Sequence, residues 1–218
     1  MAQNGAGAKP FRTGPEFSRR SEALPHLRRH PRPGSILARP AVAAALTGRI
    51  MTELLTERLR LRQFTAADFE PLAAMNADAE TMRYLGSGQI LERWQSWSSL
   101  AGILGHWQLR GYGMFCVEER ATGRFAGRVG VLDPEGWPGF EIGWTIVRPL
   151  CGRGYATEAA RAVRDWAFGT LDRDHAVHLI YPANLASQAV ARKLGAAIDR
   201  QIPFLGADLD VWRTDRSR

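Results

Sequence analysis

Cysteine is scarce in this 218-residue chain, with only Cys116 and Cys151. Two such residues make no disulfide framework, so a reducing, cytoplasmic setting is the expectation. Lysine is as rare, at Lys9 and Lys193, so nearly all positive charge is arginine. Long apolar runs are missing, and nothing approaches the ~18 residues of a membrane span. The short run "AVAAALTG" (41–48) follows basic residues. Its upstream stretch is too long and proline-rich for a signal peptide, and Glu16 and Glu22 interrupt it. Also missing are a Ser-His-Asp order, a nucleophile elbow and any metal-ligand spacing. His106, His175 and His178 are scattered, and no metal is expected.

The net charge of +7 is localised. Residues 1–50 hold nine basic and two acidic residues, whereas residues 51–218 hold twenty of each. The remainder of the chain has no net field to draw it to phosphate backbones, so nucleic acid is a poor candidate partner. Residues 1–50 are rich in Arg, Pro, Gly and Ala without a period. Pro31, Pro33 and Pro40 exclude a helix there, and the expectation is a disordered basic tail. Met51 directly precedes a well-patterned domain and is a candidate natural start, which would make residues 1–50 an upstream extension. A basic arm for an acidic partner is the alternative.

From Leu59 the pattern sharpens. "LRLRQF" (59–64) alternates as a strand does. Thr65 and Asp68 resemble a capping box for a helix ending near Asn76. Residues 92–110 read as a helix, with Trp94, Trp97, Leu100, Leu104 and Trp107 at helical spacing. Residues 113–119 and 125–132, joined by "ATGR", read as a hairpin. A strand at 140–147, a helix at 156–170, a strand at 177–181, a helix at 185–194 stopped by Gly195, and strands near 197–203 and 209–214 complete the chain. The expected class is α/β with a mixed sheet.

The chemistry concentrates where "EIGWTIVRPLCGRGYATEAARAV" (141–163) passes from strand to helix. A helix N-terminus has unpaired N–H groups and partial positive charge, and glycines let a ligand approach them. Three phosphate-site readings compete with a bare capping turn. A P-loop needs Lys and Ser/Thr after its second glycine, where Tyr155 and Ala156 stand. A dinucleotide fingerprint needs a small residue where Thr157 stands, and Asp172 follows a helix rather than ending a strand. The local pattern alone leaves an anion-binding turn and a ligand-free cap open.

This stretch, together with "NLASQAVARKLGA" (184–196), resembles the GNAT superfamily of acetyl-CoA-dependent N-acetyltransferases, and within it the RimJ/RimL-like branch. The likeness runs from about residue 56 to 214. The family's acyl-CoA signature, Gln/Arg-x-x-Gly-x-Gly/Ala, falls on Cys151, Gly154 and Ala156, with Cys in place of the usual first residue. The resemblance implies a GNAT fold: a mixed, mostly antiparallel sheet flanked by helices, with a splayed strand pair holding acyl-CoA. It implies that Ile146 and Val147 flank the pantetheine arm. The turn Cys151, Gly152, Arg153, Gly154, Tyr155, Ala156 and Thr157 would cradle the pyrophosphate. Acetyl-CoA would be the co-substrate. The acceptor would be a primary amine on a small molecule or a peptide, and a homodimer is compatible.

Direct transfer needs a base for the amine, donors for the developing oxyanion and an acid for the thiolate. Glu141 is the candidate base and Gly143 a site for a bulge or close approach. Asn184 begins the second motif and would bond the pantetheine. The tyrosine that often follows it by seven residues is replaced by Ala191. Ser187 matches the Asn-x-x-Ser form of the RimL-like branch and is the candidate partner of the sulfur. Both residues are also good helix caps. The acceptor side is expected from residues 78–110 and 133–140, with Tyr84, Trp94, Trp97 and Trp107 mostly core and Trp137 at the site. An acyl-CoA-binding module without turnover is the competing reading.

Overall fold

Alternation of side chains across strands sets most of this structure, a computed structural model that describes residues 51–217. The basic segment at 1–50 lies outside the described residues. In "LRLRQ", Leu59 and Leu61 are fully buried while Arg60 faces solvent. The strands are β1 (Leu54–Leu55), β2 (Leu59–Gln63), β3 (Met114–Glu119), β4 (Phe125–Leu132), β5 (Glu141–Ile146), β6 (His175–Ile180), β7 (Ala197–Phe204) and β8 (Ala207–Asp215). They form one sheet in the order β1-β2-β3-β4-β5-β6-β8-β7. Every pairing is antiparallel except β5 with β6. The helices are α1 (Phe69–Asn76), α2 (Ala79–Met82), α3 (Arg93–Arg110), α4 (Tyr155–Gly169) and α5 (Leu185–Lys193). The Thr65–Asp68 capping box forms as expected, opening a single 3-10 turn ahead of α1.

α3 corrects one expectation. Its buried stripe is Ser96, Leu100, Ile103 and Trp107. Trp94 and Trp97 are 70% and 62% exposed. Two apolar stripes compete along this helix, and only one can face the sheet. The winning stripe satisfies its polar atoms: Asn76 Nδ2 donates to Ser96 Oγ at 3.3 Å, and Trp107 Nε1 to the Met114 carbonyl at 2.8 Å. Opposite, α4 buries Thr157, Ala159, Ala160, Val163 and Ala167, leaving Ala156 half-buried. The small alanines let α4 lie close on β4 and β5. Among the described residues no helix is long and apolar enough to cross a membrane.

The feature that positions the site is a failure of pairing. β4 and β5 are in register over six residue pairs, whereas β5 and β6 share only Glu141 with Val177. Beyond that pair the two strands diverge.

Candidate active site

Diverging strands leave main-chain groups without ladder partners, and a buried orphan costs about 1–3 kcal/mol. Two side chains take over here. His178 Nδ1 donates to the Ile142 carbonyl of β5 at 2.8 Å. The Leu179 amide of β6 donates to the Glu141 carboxylate. The splay is thus held open by one side chain from each strand. A residue's N–H and C=O leave an antiparallel strand on the same edge, alternating along it. Since Ile142 faces the opening, Trp144 and Ile146 present their main-chain groups to it as well.

Glu141 is 7% exposed, a buried carboxyl at a strand start. Burial pushes its pKa up to about 7, opposed by N–H donors from Trp137 and Leu179 and by the charge of Arg128. Trp137 Nε1 lies 2.7 Å from Oε2, and the indole is braced edge-on against Phe204. Gly143 does not form a bulge, because β4 and β5 stay in register through Gly130 opposite Gly143. It lies beside the Glu141 carboxyl, where a Cβ would make an ordinary contact at 3.6 Å from Oε1.

Glu141 opens onto a cavity of about 370 Å³ between the sheet and α3. Arg128, Leu132, Gly143, Trp144 and Thr145 contribute from β4 and β5, and Ser99, Gly102, Ile103 and His106 from α3. Asn184 and Ser187 reach it from the start of α5. The capping ambiguity between these two resolves cleanly. Asn184 Oδ1 accepts from the Ser187 amide at 3.1 Å and is the cap. The Ser187 hydroxyl turns away from the backbone and accepts from Trp144 Nε1 at 3.3 Å. Its own proton is therefore directed elsewhere. Ala191, where a tyrosine could have stood, is wholly buried in α5. Both cavity histidines have their ring nitrogens engaged. His106 bridges the Tyr112 carbonyl and the Asp133 amide, and His178 bridges Ile142 and Thr214. Burial lowers the His178 pKa to about 4, so it is neutral at physiological pH.

The glycine turn lies at the other end of β5. Gly152 and Gly154 have φ of 77° and 83°, a left-handed pair that glycine adopts without strain. Gly154 is the N-cap of α4, and no side chain caps that helix. Its first main-chain bond runs from the Glu158 amide to the Gly154 carbonyl, leaving the earlier amides for a ligand. Nothing lies within 4 Å of where a Gly152 side chain would begin. These features fit a pyrophosphate cradle. Arg58 fixes the turn from outside, bonding the Arg153 carbonyl at 3.0 Å and pairing with Glu158 at 2.6 Å. Thr157 is buried, while the Arg153 side chain is exposed. Tyr155 is less available, since its hydroxyl donates to Glu119 at 2.9 Å under the Arg58 guanidinium. Cys151 packs its sulfur against the Ile146 and Val147 carbonyls at 3.5 and 3.7 Å. Burial and the Asp78 charge raise its pKa, so it stays a thiol.

Sequence reasoning missed Arg128 and set His178 aside as one of several scattered histidines. The signal for Arg128 was a lone charge inside the apolar strand "FAGRVGVL", at a position sharing a sheet face with Glu141. A second acidic cluster, Asp68 with Cys116 and Glu118, is filled by the Arg62 guanidinium at 2.7 and 2.5 Å from the two carboxylates.

Known proteins share this arrangement of elements. The family model described as an acetyltransferase (GNAT) domain matches residues 58–197. The uncharacterized protein YkkB of Bacillus subtilis (strain 168) is 32% identical over 159 residues, covering 69% of this chain and 88% of that protein. The acetyltransferase from Agrobacterium tumefaciens str. C58 is 33% identical with a TM-score of 0.69, over 77% of this chain and 96% of that one. RimL, a ribosomal-protein alpha-N-acetyltransferase solved in complex with coenzyme A, is similar in fold: TM-score 0.64, 18% identity, 75% and 98% coverage. With a family model spanning most of the described residues and the splayed sheet in place, the chain belongs to the GNAT family of acetyltransferases.

Proposed function

We propose that the protein moves an acetyl group from acetyl-CoA directly to a primary amine, with Glu141 as general base and Ser187 as the partner of the departing sulfur. The observation that carries this reading is the buried Glu141 carboxyl, poised near neutrality on a cavity that also receives Ser187. The pyrophosphate would take the amides of the Gly152–Thr157 turn. The pantetheine would run past Ile146 and Val147 along the open edge of β5, with the Asn184 amide nitrogen as a further donor.

The geometry supports a division of roles. Glu141 accepts the proton of the attacking amine as the C–N bond forms. The Ser187 hydroxyl, whose oxygen already accepts from Trp144, donates a hydrogen bond to the sulfur as the C–S bond breaks. The thiolate takes its proton from solvent, balancing the one Glu141 later releases. The acceptor is an amine small enough to enter the cavity. The RimL-like reading, with a protein N-terminus as acceptor, draws support from the fold likeness to RimL. Release of free thiol from acetyl-CoA, followed across a panel of amines and terminal peptides, is the test. Tight acetyl-CoA binding with no thiol release across the panel would favour a binding module and overturn the proposal.

A further inference from the structure

Arg128 occupies a position where an arginine is costly. It lies within β4, flanked by Gly127 and Val129, and lines the cavity beside α3. Its Nε is sealed from solvent and has no hydrogen-bond partner. The hydrogen bond that its guanidinium does make, from Nη1 to Ser99 Oγ, is long at 3.5 Å. Among the described residues no carboxylate oxygen lies within the 4.0 Å of an ion pair. Arg128 is half-buried, and a partly desolvated cation without an ionic partner is costly, so such an arginine is expected to meet an anion in the occupied site.

Glu141 is not that anion. Its carboxylate already accepts from Trp137 and Leu179. The two residues start four positions apart along the ladder, where Arg128 faces Thr145 and Glu141 faces Leu132, and their charges act on each other without forming an ion pair. At about 3.3 Å per residue, Glu141 and Thr145 are about 13 Å apart along β5. All four side chains share one sheet face, and Gly143, between Glu141 and Thr145, adds no side chain to it. No other charge faces Arg128 in the cavity. α3 offers Ser99 and His106, β6 offers His178, and the chain before α3 offers Tyr84. A basic group at one end and a proton acceptor at the other define a site for a molecule that carries both an amine and an anion.

We propose that Arg128 recognises a compact anionic group on the acceptor, a carboxylate or a phosphate, while the acceptor's nitrogen faces Glu141. The substrate class is therefore small zwitterionic amines, such as amino acids or aminoalkyl phosphates. This inference rests on the reading above that the cavity is the acceptor end of the site. Guanidinium binds either anion through two parallel hydrogen bonds, which also fixes the acceptor's orientation.

The test uses the full chain with acetyl-CoA. Thiol release is measured with free amino acids, their carboxamides and aminoalkyl phosphates. Carboxamides have the less basic amine, which makes more neutral nucleophile at pH 7.5, so simple amine chemistry favours them. The inference predicts the reverse, with kcat/KM at least 30-fold higher for one anionic series than for the carboxamides. The better anionic series identifies the anion. In Arg128→Met that ratio should fall to within 3-fold of unity, and Arg128→Lys should restore part of it. Melting curves and acetyl-CoA titrations of each variant establish that the fold and the cofactor end are intact. Equal rates for acids and carboxamides in the parent, or a ratio that survives in Arg128→Met, would overturn the inference. A parallel binding arm, Trp fluorescence on adding amino acids to the coenzyme A complex, separates the two readings. Anion-selective binding without turnover sinks the transferase reading and keeps the Arg128 assignment. Turnover without anion selectivity does the opposite.

Discussion

Replacing Glu141 by glutamine should make the protein more stable at alkaline pH relative to its parent, and the size of the effect follows from burial. The carboxyl has an ordinary pKa of 4.5 in the unfolded chain and about 7 in the folded one. The folded state therefore holds the proton more tightly. Its contribution to stability is complete below pH 4.5 and is lost as pH rises through 7. A shift of about 2.5 units corresponds to about 3 kcal/mol, of which about 2.5 kcal/mol falls between pH 5 and pH 8.5. Glutamine does not titrate and keeps an acceptor for Trp137 and Leu179. Whatever Glu141→Gln does to stability at pH 5, the difference between variant and parent should move in the variant's favour by about 2.5 kcal/mol at pH 8.5. For a domain of this size that is a relative Tm change of about 5–10 °C. Matched calorimetric melts at the two pH values measure it. A Tm difference that is the same at both, to within 2 °C, would refute the claim that burial holds this carboxyl's proton.

Trp137→Phe removes the indole N–H that favours the ionised carboxyl, so the acidic inflection of the pH–rate profile should move to higher pH by up to a unit. Ser187→Ala should lower kcat roughly 10-fold with acetyl-CoA affinity little changed, the mark of a contact made in the transition state. Its melting temperature should barely move, because the α5 cap is Asn184 and the Ser187 amide remains. Gly154→Val should weaken acetyl-CoA binding by about 2 kcal/mol by calorimetric titration, since a branched side chain at φ 83° is strained and obstructs the amides. An unchanged dissociation constant would return the turn to a simple cap.

Local patterns carried most of the fold. Alternation in 59–64, a turn-linked hairpin and short apolar runs located β2 through β6, and the switch from Arg148-Pro149 through two glycines to an alanine face located α4, because those signals lie within a few residues of one another. β1 and α2 were missed, being two and four residues long and held by tertiary partners rather than by a period. The α3 faces were misread because Trp94 and Trp97 have the same helical spacing as the true stripe. Only the neighbouring α1 and the sheet choose between them, through Asn76 with Ser96 and Trp107 with Met114. At the site, Glu141, Asn184 and Ser187 were named from motifs, but their division of labour was not legible. Asn184 takes the cap and Ser187 turns to Trp144, a contact spanning 43 residues of sequence. Arg128 and His178 carry no motif. Their roles exist only because β5 and β6 separate, and that separation is set by pairing between distant segments.

In the proposed reaction Glu141 removes the acceptor's proton, a role that the pH dependence of kcat/KM can read out. With the best amine from the panel, the parent should show an inflection near pH 7 superimposed on the acceptor's own ionisation, and Glu141→Gln should lose that inflection along with most of its activity. If parent and variant instead share one profile that follows only the acceptor's own ionisation, at similar rates, Glu141 is not the base.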